Sequence, residues 1–585
     1  MSSFKIRGPE DLRNLSLTEL EHLAQDLRQT ILSVSLRNGG HLGASLGAVE
    51  LAIALHRMFD SPSEPVLWDV GHQAYAHKLL TGRWEQFDSM RLRGGVSGFP
   101  TRAESQHDVF GTGHSSTAVS AALAMAWARR GTQQWTVAVV GDGGLSAGLS
   151  FEALNNIKSL DLGPLLIVLN DNHMSISRSV GALPSILSGS APDYFQAFGL
   201  DFHGPVDGNH IPSLINVFSS IKTSTPERPL ILHALTEKGR GYAPAEEFPG
   251  VYHGVSPVKK MSTEKITGSH FLRKRPAVSF SEELGKCLCE AAARDPKVVA
   301  ISAAMLEGTG LSEFARRFPE RTFDVGIAEP HAVTFAAGLA TQGYRPVVAI
   351  YSTFLQRALD SIVHDVVLQK LPVVFAIDRA GLVGPDGPTH HGVFDLSYLG
   401  MLPGIRIYAP ACISDLRALL SRALNDSGPV AIRFPRGGAE TEFAPLAENS
   451  GMRTLRAVAD PDLIVVALGT TTANAWTAIE ASDPGGEKVS IVSVVCAKPI
   501  PEELHEFLRA YPAISVAVVE AGVVSGGFGQ QLAVHHADRN FEFIGIPDRF
   551  IAHGSLLELE EDVGLSARAL EERFRALLAI RGGVG

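Results

Sequence analysis

The amino-acid sequence predicts an α/β protein made of three successive α/β domains with mainly parallel sheets. At 585 residues the chain is too long for a single hydrophobic core, which predicts several domains. Short runs of β-branched and apolar residues alternate with stretches of helical periodicity, the pattern of βαβ units. Such apolar runs are typical of strands that are buried on both faces of a parallel sheet.

Three groups of predicted strands define the domain organisation. The first domain is predicted to span residues 1–253, the second residues 279–440 and the third residues 455–585. Between the first two, residues 254–278 carry several Lys and Arg side chains without periodicity, which predicts a basic linker. The predicted strands are 66–68, 136–140, 165–169 and 230–234, then 298–301, 322–327, 347–350, 373–377, 405–408 and 430–434, and finally 463–468, 489–495, 514–519 and 543–546.

Composition and charge limit the partners and the location of the protein. The net charge of −11 argues against nucleic acid as the main partner, because a phosphate backbone is bound by clustered Lys and Arg. Residues 1–29 are charged and lack the apolar core of a signal peptide. No apolar run approaches the roughly 20 residues that span a bilayer. The sequence therefore predicts a cytoplasmic protein without a membrane partner.

The strongest functional signal is a pair of polar stretches, Gly141-Asp-Gly143 and Asn170-Asp-Asn172, each following an apolar run. Open α/β sheets bind ligands beyond the carboxyl ends of their strands. Asp142 and Asn172 offer hard oxygen ligands suited to Mg²⁺, and the glycines let a backbone approach phosphates closely. Either stretch alone is typical of a turn. Their pairing at two strand ends predicts the metal–diphosphate half of a thiamine diphosphate site.

Three histidines lie in glycine-rich, loop-like surroundings: His41, His72 and His114. A single histidine is more often a core or capping residue. Three in such surroundings predict donors to diphosphate and substrate oxygens that can also move protons near neutral pH. Ser115 and Ser116 precede an alanine-rich helix, where free N–H groups favour anions.

The second domain contributes a carboxylate and three arginines. Glu329 is predicted to end an apolar strand, where an apolar setting raises the pKa of a carboxyl and lets it share a proton with a neutral aromatic nitrogen. A surface glutamate at a strand end is the simpler alternative. Arg357, Arg379 and Arg436 follow strand ends, and a guanidinium group matches phosphate oxygens geometrically. A solvated salt bridge is the usual role of one arginine, but a convergent set predicts phosphate recognition.

Together these segments closely resemble the 1-deoxy-D-xylulose-5-phosphate synthase family of the transketolase superfamily. The resemblance rests on WDVGHQAY at 68–75, GHSST at 113–117, YSTFLQRA at 351–358 and DGPTH at 386–390. It implies a transketolase-like fold, a homodimer, and thiamine diphosphate and Mg²⁺ as cofactors. It also implies condensation of pyruvate with D-glyceraldehyde 3-phosphate, a sugar-phosphate aldehyde, to 1-deoxy-D-xylulose 5-phosphate and CO₂. That product is a precursor of isoprenoids, thiamine and pyridoxal.

The resemblance also implies roles for single residues. It assigns Mg²⁺ to Asp142, Asn172 and the Met174 carbonyl, and it places Glu329 on the aminopyrimidine of the cofactor, whose imino tautomer deprotonates the thiazolium. The other cofactor contacts would be His72, Gly113, His114, Ser115, Gly143, Gly144, Asn172 and Tyr242. The groups that handle substrate oxygens and protons would be His41, His253, Asp386 and His390. The acceptor phosphate would be bound by Tyr351, Ser352, Arg357, Arg379 and Arg436.

The sequence departs from the family pattern in places that bear on function. The family carries a long mobile segment after Leu183, but here roughly forty residues of it are absent, which puts gating of the site in doubt. Pro330 follows Glu329 where the family has Gln, and a proline disfavours the helical region for the residue before it. Two alternatives follow: a paralogue with a different donor or aldehyde acceptor, and a catalytically dead paralogue that binds the cofactor. Retention of Glu329, Asp142 and Asn172 favours the active synthase.

Overall fold

The computed structural model describes residues 6–174, 179–224, 228–257, 278–439 and 441–582. The chain divides into two compact units. Unit 1 comprises Met1–Glu264 and Gly326–Ala328, and unit 2 comprises Lys265–Val325 and Glu329–Gly585. Most of the predicted basic linker, residues 258–277, lies outside the described residues. Within the described part of the chain, no helix combines the length and the apolar character needed to cross a bilayer.

Unit 1 is built on a five-stranded parallel sheet with the order β1-β2-β3-β5-β4. Its strands are β1 (Val66–Trp68), β2 (Thr136–Gly141), β3 (Leu165–Asp171), β4 (Asp201–Asp207) and β5 (Leu230–Leu235). Its helices are α1 (Leu17–Asn38), α2 (Leu42–Gly47), α3 (Val49–Met58), α4 (Tyr75–Lys78), α5 (Thr117–Ala128), α6 (Asp142–Leu145), α7 (Gly148–Asn156), α8 (Leu183–Gly189), α9 (Ala191–Ala197), α10 (Ile211–Thr223) and α11 (Ala243–Glu247). Every residue of β3 is buried, as expected for a central strand covered on both faces.

Unit 2 contains two sheets. The larger has seven strands in the order β15-β10-β11-β9-β8-β6-β7, parallel except for the pair β10–β15. The smaller has five strands in the order β12-β14-β13-β16-β17, parallel except for the pair β12–β14. The strands are β6 (Val298–Ser302), β7 (Thr322–Asp324), β8 (Arg345–Tyr351), β9 (Val374–Asp378), β10 (Arg406–Tyr408), β11 (Val430–Arg433), β12 (Met452–Arg456), β13 (Leu463–Leu468), β14 (Val489–Val494), β15 (Cys496–Lys498), β16 (Val516–Val523) and β17 (Phe541–Ile546).

The helices of unit 2 cover its sheets and close an apolar core that the two sheets share. They are α12 (Phe280–Arg294), α13 (Ser312–Arg317), α14 (Glu329–Thr341), α15 (Ser352–Leu355), α16 (Leu359–Ser361), α17 (Asp395–Gly400), α18 (Ile413–Leu424), α19 (Thr471–Ser482), α20 (Glu502–Arg509), α21 (Phe528–Val534), α22 (Leu556–Asp562) and α23 (Ala567–Gly582). Short 3₁₀ and π segments complete the described helical structure, at Pro9–Asn14, Leu79–Arg83, Phe87–Ser89, Ile157–Ser159, Pro319–Arg321, Gln356–Ala358, Ile362–Val367 and Gly387–Thr389.

The three mainly parallel sheets, which follow one another along the chain, confirm the predicted fold class. Each of the fourteen predicted strands coincides with an observed one, although the strand predicted over 322–327 ends at Asp324. Three edge strands were not predicted: β4, β12 and β15. β4 and β12 are rich in polar residues, and β15 has only three residues, so none of them forms an apolar run. β15 follows β14 of the smaller sheet but pairs with β10 of the larger one.

Candidate active site

The predicted metal ligands lie at the carboxyl edge of the unit 1 sheet. β2 and β3 are neighbours, with Gly141 opposite Asn170, so both polar stretches leave the sheet at the same edge. Asp142 is the first residue of α6 and is buried, and Asn172 directly follows β3. The amide oxygen of Asn172 accepts a hydrogen bond from the Met174 N–H at 3.1 Å. One carboxylate, one amide oxygen and one carbonyl form a donor set of the kind that Mg²⁺ prefers.

Within the described residues, no three His, Cys, Asp or Glu side chains lie close enough together to hold a metal ion. The predicted Mg²⁺ set includes only one residue of those types, Asp142, so its composition is consistent with that result. Burial raises the pKa of Asp142. A cation at this carboxylate would offset the cost of burying its charge, so the site fits the metal that the sequence implies.

Gly144, one of the glycines predicted to contact the diphosphate, lies where a side chain has no room. A Cβ atom on Gly144 would lie 2.4 Å from Oδ2 of Asp69. That carboxylate accepts hydrogen bonds from the N–H groups of Ser116 and Ala118, at 2.8 and 3.1 Å. The hydroxyl of Ser116 in turn donates to the Gly144 carbonyl at 2.8 Å. Asp69, which the sequence did not single out, therefore holds the start of α5, and Ser116 joins that start to Gly144 in α6.

Three of the predicted histidines form a triangle in unit 1. The ring centroids are 6.1 Å apart for His41 and His72, 5.7 Å for His41 and His253, and 5.5 Å for His72 and His253. Burial lowers the pKa of His72 to about 3 and holds the pKa of His253 well below its usual value, so both rings are neutral at neutral pH. Within the described residues, Nδ1 of either ring has no hydrogen-bond partner. These nitrogens can bind polar atoms of a ligand.

A buried lysine next to this triangle was missed by sequence reasoning. Lys238 follows β5, and burial lowers its pKa to about 8, while the negative charge of Asp142 opposes that shift. Its charge also lowers the pKa of His72 and His253. The signal in the sequence was its place in the glycine-rich stretch before Tyr242. Tyr242 precedes α11, and its ring contacts that of Tyr252 at a centroid distance of 5.6 Å.

Ser179 competes for the predicted metal ligand. Its hydroxyl donates to Oδ2 of Asp142 at 2.5 Å, and a cation bound to that oxygen must displace it. We expect Ser179→Ala to bind Mg²⁺ and thiamine diphosphate about fivefold more tightly, because a competing hydrogen bond of roughly 1 kcal/mol is lost. Calorimetric titration measures both affinities. Ser188→Ala, which removes an exposed hydroxyl bonded to the Pro184 carbonyl, is the matched control. Unchanged or weaker binding by Ser179→Ala would contradict the competition.

Glu329 lies at the start of a helix in unit 2, so the prediction that it ends a strand is wrong. β7 ends at Asp324, and α14 begins at Glu329. The backbone of Gly326 has a φ of +70°, a conformation outside the strand region, so the apolar run does not continue as a strand. The expectation that Pro330 keeps Glu329 out of a helix is also wrong. Pro330 is the second residue of α14, where a missing N–H removes no intrahelical hydrogen bond.

The Glu329 carboxyl has the properties required to share a proton with an aromatic nitrogen. It is 5% exposed, and its Oε2 has no hydrogen-bond partner among the described residues. Burial raises its pKa, and the charge of Arg357 opposes that shift. A guanidinium nitrogen of Arg357 lies 3.7 Å from Oε2. This carboxyl oxygen, which accepts no hydrogen bond from the described residues, fits the aminopyrimidine of the implied cofactor, and Arg357, predicted as a phosphate ligand, lies beside it.

The predicted phosphate residues gather at the carboxyl edge of the larger sheet in unit 2. Tyr351 ends β8 opposite Asp378, the last residue of β9. Arg379 follows, with its guanidinium carbon 4.0 Å from the centroid of the Tyr351 ring. Burial raises the pKa of Tyr351 to about 12, and the positive charges of Arg379 and Arg436 oppose that shift. In the described structure the Tyr351 hydroxyl has no hydrogen-bond partner, and neither has that of Ser352.

Asp386 and His390 flank a short 3₁₀ segment, Gly387–Thr389, at the same edge. The negative charge of Asp386 contributes to the raised pKa of Tyr351. The His390 ring packs edge-on against Phe354 at a centroid distance of 5.5 Å, and Phe354 stacks on Tyr351 at 5.7 Å. The structure therefore brings the predicted substrate residues of unit 2 together.

Comparison with known proteins identifies the family. A family model described as 1-deoxy-D-xylulose-5-phosphate synthase matches residues 4–194. Three transketolase models match further along: the thiamine diphosphate binding domain at 110–282, the pyrimidine binding domain at 277–440 and the C-terminal domain at 453–570. Among solved structures, a transketolase from Leishmania mexicana is 18% identical over 97% of this chain and 98% of its own, with a TM-score of 0.46, a similarity too distant to bear on function.

Relatives named 1-deoxy-D-xylulose-5-phosphate synthase match over nearly the whole chain. The protein from Carboxydothermus hydrogenoformans is 44% identical over 98% of this chain and 99% of its own. The one from Anaeromyxobacter sp. (strain K) is 44% identical over 99% of each chain. Synthase 1 of Geobacter sulfurreducens is 42% identical over 99% of this chain and 97% of its own. This similarity places the chain in the 1-deoxy-D-xylulose-5-phosphate synthase family.

Proposed function

We propose that this chain catalyses the thiamine diphosphate-dependent condensation of pyruvate with D-glyceraldehyde 3-phosphate to 1-deoxy-D-xylulose 5-phosphate and CO₂. Its full-length similarity to synthases of that name supports the reaction. The observation in this chain that carries the proposal is the buried Glu329 carboxyl, whose Oε2 has no hydrogen-bond partner among the described residues. The proposal requires pyruvate consumption to depend on thiamine diphosphate, Mg²⁺ and the aldehyde together. Assays of the purified protein that omit one of these three components at a time test the proposal. Pyruvate consumption without thiamine diphosphate would refute it.

Unit 1 supplies the residues that would hold the diphosphate and its metal. Asp142, Asn172 and the Met174 carbonyl would bind Mg²⁺, while Gly143 and Gly144 let the backbone approach the diphosphate oxygens. The remaining cofactor contacts would come from His72, Gly113, His114, Ser115 and Tyr242. When bound, thiamine diphosphate supplies the carbanion chemistry that decarboxylates a 2-oxo acid.

The residues of this chain handle protons and charge. Glu329 would share its proton with the aminopyrimidine nitrogen, which its raised pKa favours. The rings of His41 and His253 would hold protons at the pyruvate oxygens, and burial keeps the His253 ring neutral, so that it can both donate and accept. Asp386 and His390 would supply the proton that converts the aldehyde oxygen to a hydroxyl group.

Arg379 would bind the acceptor phosphate together with Tyr351, Ser352, Arg357 and Arg436. We expect Arg379→Ala to raise the KM for D-glyceraldehyde 3-phosphate about thirtyfold, the loss of roughly 2 kcal/mol for a charged hydrogen bond. Unphosphorylated D-glyceraldehyde should be used equally well by both proteins. Initial rates against each aldehyde measure the effect. Arg406→Ala is the control, because Arg406 lies in the same sheet but forms a surface ion pair with Asp426 at 2.7 Å. Equal losses with both aldehydes would argue against phosphate binding.

We also propose a homodimer. α5 is apolar nearly all round, yet Trp127 is 46% exposed, and Phe151 of α7 is 52% exposed. Helices of this kind are usually buried, and a second copy of the chain would cover this surface. A mass in solution of 62.5 kDa would contradict the proposal.

We propose a role for each of the three predicted domains. Residues 1–253 would bind the diphosphate and Mg²⁺, residues 279–440 would bind the aminopyrimidine, and residues 455–585 would form the C-terminal domain.

A cytoplasmic location agrees with four free, buried cysteines, since disulfides are rare in a reducing compartment. Cell fractionation with an antibody tests the location, and recovery outside the cytoplasm would refute it.

A further inference from the structure

A buried carboxylate lies directly behind the predicted phosphate-binding arginine. Asp378 ends β9 and is 1% exposed. Its Oδ1 accepts a hydrogen bond from the backbone N–H of Arg379 at 2.6 Å, and its Oδ2 accepts one from the hydroxyl of Ser281, also at 2.6 Å. Both carboxylate oxygens therefore accept hydrogen bonds that fix the backbone of Arg379 and the start of α12 at this edge of the sheet.

The backbone at Arg379 has a conformation that needs such support. Its φ is +56°, in the left-handed region that residues with a side chain rarely adopt. The flanking chain is tightly held, because Ala380 donates to the Phe434 carbonyl at 3.0 Å and Gly381 donates to the Gly392 carbonyl at 2.7 Å. The Arg379 N–H itself is bonded to Asp378. Without that acceptor, the left-handed turn would lose the hydrogen bond made at the strained residue itself.

Ser281 reaches Asp378 from a rigid helix start. It is the second residue of α12, which begins with a capping box in which Ser279 accepts from the Glu282 N–H and Glu282 accepts from the Ser279 N–H, each at 3.1 Å. The Phe280 N–H donates to the Gly437 carbonyl at 2.9 Å, which joins the helix start to the loop that carries Arg436. The Ser281 hydroxyl is thus presented from a fixed position.

The guanidinium group of Arg379 is not used by these contacts. It lies over the Tyr351 ring, with its guanidinium carbon 4.0 Å from the ring centroid. Burial raises the pKa of Asp378 to about 6, so its carboxylate is ionised at neutral pH and both donors bond to a charged group. The charged carboxylate therefore accepts from the backbone N–H of Arg379, while the guanidinium group of Arg379 lies over the Tyr351 ring.

We propose that Ser281 and Asp378 are positioning residues that hold the backbone of Arg379 in its left-handed turn and so aim its guanidinium group at the acceptor phosphate. This inference rests on the proposed function, in which Arg379 binds that phosphate. Neither residue touches the substrate. Both act through Arg379, so their removal should weaken recognition of the phosphate and leave the steps on pyruvate unchanged.

The test compares Ser281→Ala, Asp378→Ala and Asp378→Asn with the wild type, each as purified full-length protein with cofactors. We expect Ser281→Ala to raise the KM for D-glyceraldehyde 3-phosphate about fivefold and Asp378→Ala to raise it more, with kcat/KM for unphosphorylated D-glyceraldehyde unchanged. Inhibition by inorganic phosphate should weaken in parallel. Asp378→Asn keeps an acceptor for the Arg379 N–H and should recover part of the loss. Ser414→Ala, which removes another serine–carboxylate hydrogen bond of unit 2, is the control.

The outcomes separate this inference from the function on which it rests. If the wild type uses both aldehydes equally, the phosphate site itself is wrong and the inference is overturned with it. A second outcome is that the wild type prefers the phosphorylated aldehyde while Ser281→Ala and Asp378→Ala have wild-type kinetics with both aldehydes. That result would overturn the positioning role alone. Equal losses for both aldehydes, with a lower melting temperature, would show a role in stability only and would also overturn it.

Discussion

Replacing Glu329 with alanine is expected to slow the decarboxylation of pyruvate about a thousandfold, because a positioned proton-sharing group is lost. The carboxyl is buried at 5% exposure, and burial raises its pKa, so it is held ready to share a proton with an aromatic nitrogen. Release of ¹⁴CO₂ from carboxyl-labelled pyruvate, at saturating cofactor and D-glyceraldehyde 3-phosphate, measures the rate. Thiamine diphosphate affinity, measured by calorimetry, separates weaker binding from slower chemistry.

A matched control for Glu329 lies in the same unit. Glu283 is also 5% exposed, but it is ion-paired with Arg417 and has no role in the proposed proton sharing. Glu283→Ala removes a carboxylate of equal burial, so any loss of folding from such a deletion will be seen there. If Glu329→Ala keeps the wild-type rate, or if Glu283→Ala loses as much, the role assigned to Glu329 is wrong.

Replacing Asp142 with alanine is expected to weaken Mg²⁺-dependent binding of thiamine diphosphate at least about a hundredfold. It removes the only carboxylate from a predicted ligand set whose other members are an amide oxygen and a backbone carbonyl, and Mg²⁺ depends on such hard oxygens. Calorimetric titration of thiamine diphosphate at several Mg²⁺ concentrations measures the loss. Binding should recover in part as Mg²⁺ is raised, because the metal affinity is what has fallen.

Asp201→Ala is the control for that experiment. Asp201 begins β4 of the same sheet and faces Arg228 at 3.9 Å on the exposed surface. Its removal changes the charge of unit 1 by the same amount without touching the edge beyond β2 and β3. Thiamine diphosphate binding by Asp142→Ala that matches this control would remove Asp142 from the metal site.

The sequence predicted the parts of the fold and site that depend on local pattern. The apolar runs of β2 and β3 locate two neighbouring strands, so the position of Asp142 and Asn172 at one sheet edge followed from pattern and the rule on strand ends. The polar edge strands β4 and β12 lack such a run and were missed. Glu329 was assigned to a strand because the apolar residues before it resemble one, whereas Gly326 turns the chain and α14 begins at Glu329.

Contacts between residues distant in sequence could not be predicted from pattern. Ser281 and Asp378 are 97 positions apart, and only the fold shows that they share a hydrogen bond. The burial of Lys238 and its proximity to Asp142 likewise depend on how β5 packs beside β3. The residues that carry the proposed chemistry are therefore recognisable in the sequence, whereas the residues that hold them in place are recognisable only in the fold.

The central claim is that this chain joins the two-carbon unit of pyruvate to D-glyceraldehyde 3-phosphate, and product analysis tests it most directly. Pyruvate labelled with ¹³C at its carbonyl and methyl carbons is incubated with the aldehyde, Mg²⁺, thiamine diphosphate and the purified protein. We predict unlabelled CO₂ and a five-carbon phosphate with a mass two units above that of unlabelled 1-deoxy-D-xylulose 5-phosphate, in which the two labelled carbons are adjacent by NMR. CO₂ release without a labelled five-carbon phosphate, or no turnover of pyruvate, would contradict the claim.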